Sequence, residues 1–253
     1  MHRSERHQKI LNLLADNRNV RVPELSKDLG VSDATIRRDL DRLESSGKIQ
    51  RTHGGAVLIE KQYSERVPRL NGAENQEIKE RIGRTAASLI RDGEAVFIGA
   101  GTTTMEVACN LVGRKNLTVI SNALPVINLL AFEDGISLVA TGGLLRSAEL
   151  SFLGHITEQV MREVRPQKVI MGIRALSIED GLTSEYLPEV STDRAILESG
   201  HEIILVADHT KIGQVAAGYV APITVIDRLI TDDQAPPEAV QKLREKGIEV
   251  ILC

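Results

Sequence analysis

Apolar residues recur at helical spacing through the first sixty positions and then change period. Ile10, Leu13 and Leu14 put one apolar face on a helix over residues 3–16. Val20 and Val22 predict a short extended piece. Pro23 suits the first turn of a second helix, which carries Leu25 and Leu29 inward and stops at Gly30. Ser32 is placed to cap a third helix from Asp33, because its side-chain oxygen can accept a backbone N–H that the first turn leaves unpaired. Two helices joined by so short a turn make a helix-turn-helix pattern. Strands at 49–52 and 56–59 then flank His53-Gly54-Gly55 as a wing-like hairpin.

Residues 60–76, EKQYSERVPRLNGAENQ, are polar, contain Pro68 and Gly72, and keep no period. They read as a linker between a domain at 1–59 and a second at 77–253. In that second part short apolar runs alternate with amphipathic ones. Strands are predicted at 95–98, 117–121, 136–140, 168–171, 203–207, 225–230 and 249–252. Helices are predicted at 79–90, 105–111, 125–131, 156–164, 192–199 and 237–246. Such alternation implies an α/β fold with a mainly parallel sheet and helices on both faces.

The third helix carries an arginine pair. At roughly 100° per residue with Ile36 at 0°, Leu40 and Leu43 fall near about 40° and 340° and define the core face. Thr35, Arg38 and Arg42 fall at about 260°, 200° and 240°, with Ala34 at about 160°, so they face outward. Arg37, at about 100°, sits on the flank. A solvated charged face is one reading of such a pair. On the helix after a helix-turn-helix turn, the other reading is stronger. The N-terminal half, with Ser32, Ala34, Thr35, Arg38 and Arg42, enters a major groove, while Arg37 and the hairpin's Arg51 and His53 hold phosphates.

Composition changes this picture only a little. The chain of 253 residues is long for one domain and comfortable for two. The net charge of −4 argues against nucleic acid as an average. Residues 1–60 hold 11 Lys and Arg against 9 Asp and Glu, whereas the rest hold 20 against 26. A mildly basic head on an acidic body fits a chain in which only the head meets phosphate, although charge alone settles nothing. Cys109 and Cys253 have no metal-ligand spacing and suggest no disulfide framework, so no metal and no cofactor is expected. With no apolar leader after Met1 and no membrane-length run, the expected location is the cytoplasm.

Ligands of parallel α/β folds bind beyond the carboxyl ends of the strands. The strongest such loop is in VFIGAGTTTMEVA, where Gly99 and Gly101 let the chain turn and Thr102, Thr103 and Thr104 open a helix. Backbone N–H groups and hydroxyls there favour a phosphate. The loop lacks the lysine of a Walker A motif and the G-x-G-x-x-G of a dinucleotide site. Glycines in a strand-to-helix turn are also often only structural. Other predicted strand ends carry Ser121 and Asn122, then Gly142 and Gly143 with Arg146, then Gly172, then Asp208 to Lys211. Each alone reads as a cap or turn; together they suggest a site.

The run ELSKDLGVSDATIRRDLDRLESSGKIQRTHGGA resembles the winged helix of the DeoR family of bacterial transcription regulators, through Thr35 to Leu40, Leu43-Glu44, Gly47 and His53 to Ala56. The stretches AASLIRDGEAVFIGAGTTT, TVISNAL, ATGGLLR, FLGHI, VIMGIRALSIEDGLTSE and ILVADHTKIG resemble the family's sensor domain, which is similar to ribose-5-phosphate isomerase. The resemblance implies a repressor that binds operator double-stranded DNA and senses a phosphorylated sugar. It also implies a homo-oligomer, dimer or tetramer, whose sensor domains set the spacing of the winged helices. Gly101 to Thr104 would cradle the phosphate, with Lys79 and Lys211 as cationic partners. Many relatives carry Asp where this chain has Gly99. Isomerases of this fold carry two acids in a turn after the central strand, and here that turn reads Met171-Gly172-Ile173-Arg174. Catalysis is therefore not expected. The alternatives are a sugar-phosphate isomerase with a DNA-binding head and an adaptor whose wing and linker bind protein.

Overall fold

The computed structural model describes residues 6, 7, 9, 10, 13, 14, 20–45, 49–52, 54–58 and 75–253. The chain divides into two compact units, Met1–Arg69 and Leu70–Cys253.

In the first unit the described residues between 6 and 14 are helical. Strand β1 (Val20–Arg21) runs directly into α1 (Val22–Leu29), one residue before the predicted Pro23 start. Gly30 ends α1 in the left-handed region, and α2 spans Asp33–Ser45. Strands β2 (Ile49–Thr52) and β3 (Gly55–Leu58) form an antiparallel hairpin, and β1 adds to β3. Gly55 permits that addition: a Cβ there would lie 2.3 Å from the Val20 carbonyl oxygen. Ile10, Leu14, Val22, Leu25, Ile36, Leu40, Leu43 and Ile49 are buried together, so the predicted inward faces of all three helices meet in one core.

The second unit starts with α3 (Gln76–Ser88), which begins inside the predicted linker; residues 60–74 lie outside the described set. It continues with β4 (Ala95–Ile98), α4 (Thr102–Cys109), β5 (Leu117–Ser121), α5 (Leu124–Leu130) and β6 (Ile136–Ala140). After the hairpin β7 (Leu144–Arg146) and β8 (Ser151–Leu153) come α6 (His155–Glu163) and β9 (Lys168–Met171). Strands β10 (Ala175–Ser177) and β11 (Gly181–Ser184) precede α7 (Val190–Ser199), β12 (Glu202–Val206), β13 (Gly218–Ala221), β14 (Arg228–Thr231), α8 (Pro237–Glu245) and β15 (Glu249–Leu252).

Seven strands form the main sheet in the order β15-β14-β12-β9-β4-β5-β6, and every neighbouring pair is parallel. Alternate residues serve opposite faces. Val96, Ile98, Ile170 and Ile204 join one buried cluster, and Phe97, Val169, Met171 and Leu205 the other. Helices therefore cover both faces, as continuous apolar strands require. Chain order runs outward from β4 through β5 to β6, and from β9 through β12 to β15. The direction reverses between β4 and β9, and such a switch point opens a crevice at the carboxyl ends.

The amino ends of the same strands carry a different chemistry. Lys168 pairs with Glu94 and lies in register with Glu202, which pairs with Arg228 at 2.7 Å. Arg228 in turn pairs with Glu249 at 2.7 Å. Alternating charges thus tie the starts of β9, β12, β14 and β15 together.

The hairpin β7–β8 and the small antiparallel sheet β10-β11-β13 were not anticipated from the sequence pattern. The predicted strand at 225–230 also starts late: Ile223–Val225 is a 3-10 turn and β14 begins at Arg228.

Candidate functional site

In the first unit, α2 presents Ala34, Arg37, Arg38 and Arg42 to solvent, with Thr35 half-buried. Ile36, Leu40 and Leu43 face the core. Ser32 caps the helix: the Thr35 N–H donates to its Oγ at 3.4 Å, and the two hydroxyls lie 3.0 Å apart. Asp39 points inward and is 2% exposed, held by Arg6 at 2.6 Å and His7 at 3.0 Å. Burial alone would push the Asp39 carboxyl up, but the hydrogen bonds and charges of Arg6 and His7 outweigh it and hold the carboxyl below its usual range. Its charge therefore does not face the arginine stripe. Arg51 on the hairpin pairs with Asp41 of α2, and its N–H donates to Glu44 at 3.0 Å. That side chain ties hairpin to helix in addition to any contact outside. His53 lies outside the described residues.

In the second unit, a cavity of about 510 Å³ opens at the β4/β9 switch point. Lys79, Gly99, Gly101, Thr102, Thr103, Thr104, Asn122, Arg146, Gly172 and Lys211 line it, so loops distant in sequence converge there. Ser121, Gly142 and Gly143 are not among its lining. Ser121 is fully buried, donates to the Ile98 carbonyl at 2.7 Å and accepts the Ala123 N–H. Gly142 accepts the Thr157 hydroxyl at 2.6 Å, and a Cβ on Gly143 would lie 2.5 Å from that hydroxyl.

Thr102 to Thr104 form the first turn of α4, whose N–H groups have no intrahelical acceptor. The Thr104 hydroxyl donates to the Gly101 carbonyl at 3.0 Å. No partner of the Thr103 hydroxyl exists among the described residues. Lys79 projects from α3, which packs against α4. Gly83, one turn further on, makes that contact close: a Cβ would lie 2.6 Å from the Glu106 carbonyl carbon. Lys211 sits on a 3-10 turn braced twice. Asp208 accepts from the Thr210 N–H and hydroxyl, and the buried Asp232 accepts the His209 N–H at 2.7 Å and contacts its ring at 2.8 Å. Lys211 itself has no ion-pair partner among the described residues.

Tyr186, Glu189 and Asp193 also line the cavity, and strand-end reasoning missed them. Glu189 pairs with Arg146 at 2.6 Å, and the Arg146 guanidinium lies 4.3 Å from the centre of the Tyr186 ring. Burial pushes Glu189 up, Arg146 opposes that, and Glu149 adds to it; the net shift is upward. Asp193 is raised well above the carboxylate range by burial, reinforced by Glu189 and opposed by Arg146. The signal that finds the two acids is their spacing. Four residues apart, they share one helical face.

Met171, Gly172, Ile173 and Arg174 do line the cavity, and that turn holds no carboxylate. Glu185 and Glu189, although outside that turn, line it as well. Glu185 is held by Arg174 at 2.9 Å. Among the described residues no helix is long and apolar enough to cross a membrane.

Residues 6–62 match the family model of the DeoR-like helix-turn-helix domain, and residues 74–233 that of the DeoR C terminal sensor domain. The glycerol-3-phosphate regulon repressor of Escherichia coli K12 is 33% identical over the whole of both chains. The HTH-type transcriptional regulator GolR of Listeria innocua is 32% identical over 97% of each. Ribose 5-phosphate isomerase A of Methanocaldococcus jannaschii aligns over 55% of each chain with a TM-score of 0.42 and 15% identity. A helix-turn-helix unit with an outward arginine stripe, a parallel-sheet unit with a polar crevice at its switch point, and full-length kinship to named regulators lead to one conclusion: the chain belongs to the DeoR family of transcriptional regulators.

Proposed function

We propose that this regulator represses a carbohydrate-metabolism operon and that a phosphorylated sugar in the cavity controls its hold on operator DNA. One observation carries the reading. Four separate loops, after β4, β5, β9 and β12, meet at one crevice, where the α4 N-terminus and Lys211 are joined by Lys79 from α3. Helix N-termini and lysines are complementary to a phosphate. Thr35, Arg38 and Arg42, with Ser32 and Ala34 at the leading end, face the bases; Arg37 and the hairpin face the backbone. The segment between the hairpin and α3 serves as linker, and the working form is a cytoplasmic homo-oligomer, since paired half-sites are read by paired recognition helices.

The same reading makes the cavity a sensor without turnover. The turn after β9 brings Met171 and Arg174 to the cavity and no carboxylate. Of the acids that line it, Glu185 and Glu189 are each held by an arginine and Asp208 by Thr210, and burial favours the neutral form of Asp193, which cannot take a proton as a general base does. The test is a gel shift on a fragment from upstream of the protein's own gene, titrated with sugar phosphates. Retardation that one sugar phosphate modulates, with the sugar recovered unchanged, supports the reading. Failure to retard the fragment, or isomerised product, overturns it.

A further inference from the structure

Strand β6 is one edge of the main sheet and pairs only with β5. The Leu117 N–H donates to the Gly135 carbonyl, and the Thr141 N–H to the Ser121 carbonyl. Alternate residues of a strand bond to the same neighbour, so Ser137 and Val139 also serve β5. The backbone groups of Ile136, Leu138 and Ala140 therefore point outward. The Ile136 N–H is used locally, donating to the Glu133 carbonyl at 3.0 Å. The outward N–H groups of Leu138 and Ala140 have no partner among the described residues. Other edges are closed. Arg244 donates to the Val250 carbonyl of β15 at 3.0 Å, and Arg194 to the Tyr219 and Val220 carbonyls of β13 at 2.6 and 2.9 Å. Beside β10, the Gly213 N–H donates to the Leu176 carbonyl at 2.7 Å. Strand β6 reads Ile-Ser-Leu-Val-Ala, with neither the charge nor the proline that keeps other strands away from an edge. Exposed apolar side chains flank it, Phe132 (77%) before and Leu144 (68%) after.

We propose that β6 pairs antiparallel with β6 of a second copy of this chain, about a two-fold axis at Leu138, and that this edge joins the sensor units. The inference rests on the homo-oligomer reading above and supplies its surface. A second copy is the occupant because the free groups match themselves. Leu138 exchanges both bonds with the partner's Leu138, and the Ala140 N–H of each copy meets the Ile136 carbonyl of the other. The pairing thus takes up each uncommitted outward N–H and makes no demand on that of Ile136. Ile136 falls opposite Ala140 and Ser137 opposite Val139, so no like charges meet. Phe132 and Leu144 stand six residues before and six after Leu138. The same axis brings Phe132 of one copy towards Leu144 of the other. These side chains extend a contact that five paired residues alone would leave below the roughly 800 Å² per partner of a stable interface.

Sedimentation velocity of the full chain over a concentration series tests this. Ala140→Pro removes only an outward N–H, so the bonds to β5 survive. It is expected to halve the assembly, or to raise its dissociation constant at least tenfold, with the far-ultraviolet spectrum unchanged. A cysteine pair reads the register without breaking it, in a Cys109→Ser, Cys253→Ser background. In the proposed pairing Ser137 and the partner's Val139 face each other with Cα atoms about 4.5 Å apart, within disulfide reach. Ser137→Cys combined with Val139→Cys is expected to give a covalent dimer on oxidation, and either alone to run as a monomer on a denaturing gel. An assembly that Ala140→Pro leaves intact overturns the proposal, as does a cysteine pair that forms no cross-link or one that cross-links no better than either cysteine alone. In those cases a wild-type chain that sediments as a dimer or larger leaves the homo-oligomer reading standing. A wild-type chain that stays monomeric throughout overturns both.

Discussion

Arg37 and Arg38 are chain neighbours, yet a turn of roughly 100° between them separates two kinds of contact. Both are exposed, and only Arg38 shares the outward stripe with Thr35 and Arg42. Arg38→Ala is expected to lose about 1–3 kcal/mol of discrimination between operator and random DNA. Arg37→Ala is expected to weaken both alike. Competitive gel shifts measure the ratio, and an unchanged ratio in Arg38→Ala places the reading residues elsewhere. Asp193 gives a prediction of another kind. A carboxyl raised in the folded state contributes stability below its unfolded range, near pH 4, and loses it as pH rises through the folded value. The melting temperature of the sensor unit is expected to fall as pH rises above about 4, and that of Asp193→Asn to fall less. Each kcal/mol of buried charge relieved at pH 8 raises melting by roughly 2–4 °C. Scanning calorimetry across that range checks it; parallel slopes refute it. Residue type at a strand end pointed to Asn122 and Lys211, which line the cavity, and equally to Ser121, which does not. Position along the chain does not say which way a side chain faces, and the Ser121 hydroxyl turns to the Ile98 carbonyl instead.

Among the elements, the parallel strands were legible because most hold three or more consecutive apolar residues, such as Val169–Ile170–Met171, flanked by helical periods. The strands β10, β11 and β13 were not. They are three or four residues long, and β11 pairs with β13 from more than thirty residues away, so no local period encodes them. Glu189 and Asp193 escaped for a related reason. Glu189 ends a 3-10 turn and Asp193 lies in the first turn of the α7 that follows it, so neither is at a strand end. The contact of α3 with α4 supplies the prediction at this scale. Gly83→Ala forces the helices apart against backbone and is expected to destabilise the sensor unit by about 1–3 kcal/mol. Lys79 and the α4 N-terminus move with them, so the effector midpoint is expected to rise in the same variant. Chemical denaturation and an effector-titrated gel shift report the two effects, and a loss of stability with an unmoved midpoint separates this contact from the site.

For the whole molecule, sensing requires that the cavity be changed without touching the winged helix. Thr103 offers the cleanest break, because its hydroxyl has no partner among the described residues and its β-branched shape survives in valine. If the effector phosphate sits on the first turn of α4 as proposed, Thr103→Val removes one hydrogen bond to a charged group, worth about 1.5–3 kcal/mol or roughly ten- to a hundredfold in affinity. Operator affinity without effector is expected to stay near wild type, and the effector midpoint in a gel shift to rise by that factor. An unmoved midpoint, or DNA binding lost without effector, places the phosphate elsewhere.

The alternating charges of Glu94, Lys168, Glu202, Arg228 and Glu249 stand at the opposite ends of the strands from the cavity. Strands of four or five residues hold the two ends roughly 13–16 Å apart. Substitutions separated by more than about 10 Å without shared partners combine additively. Inheritance can therefore rewrite the ligand-facing end while the other end keeps the strands in place, and the molecule can acquire a new chemical vocabulary without relearning how to fold.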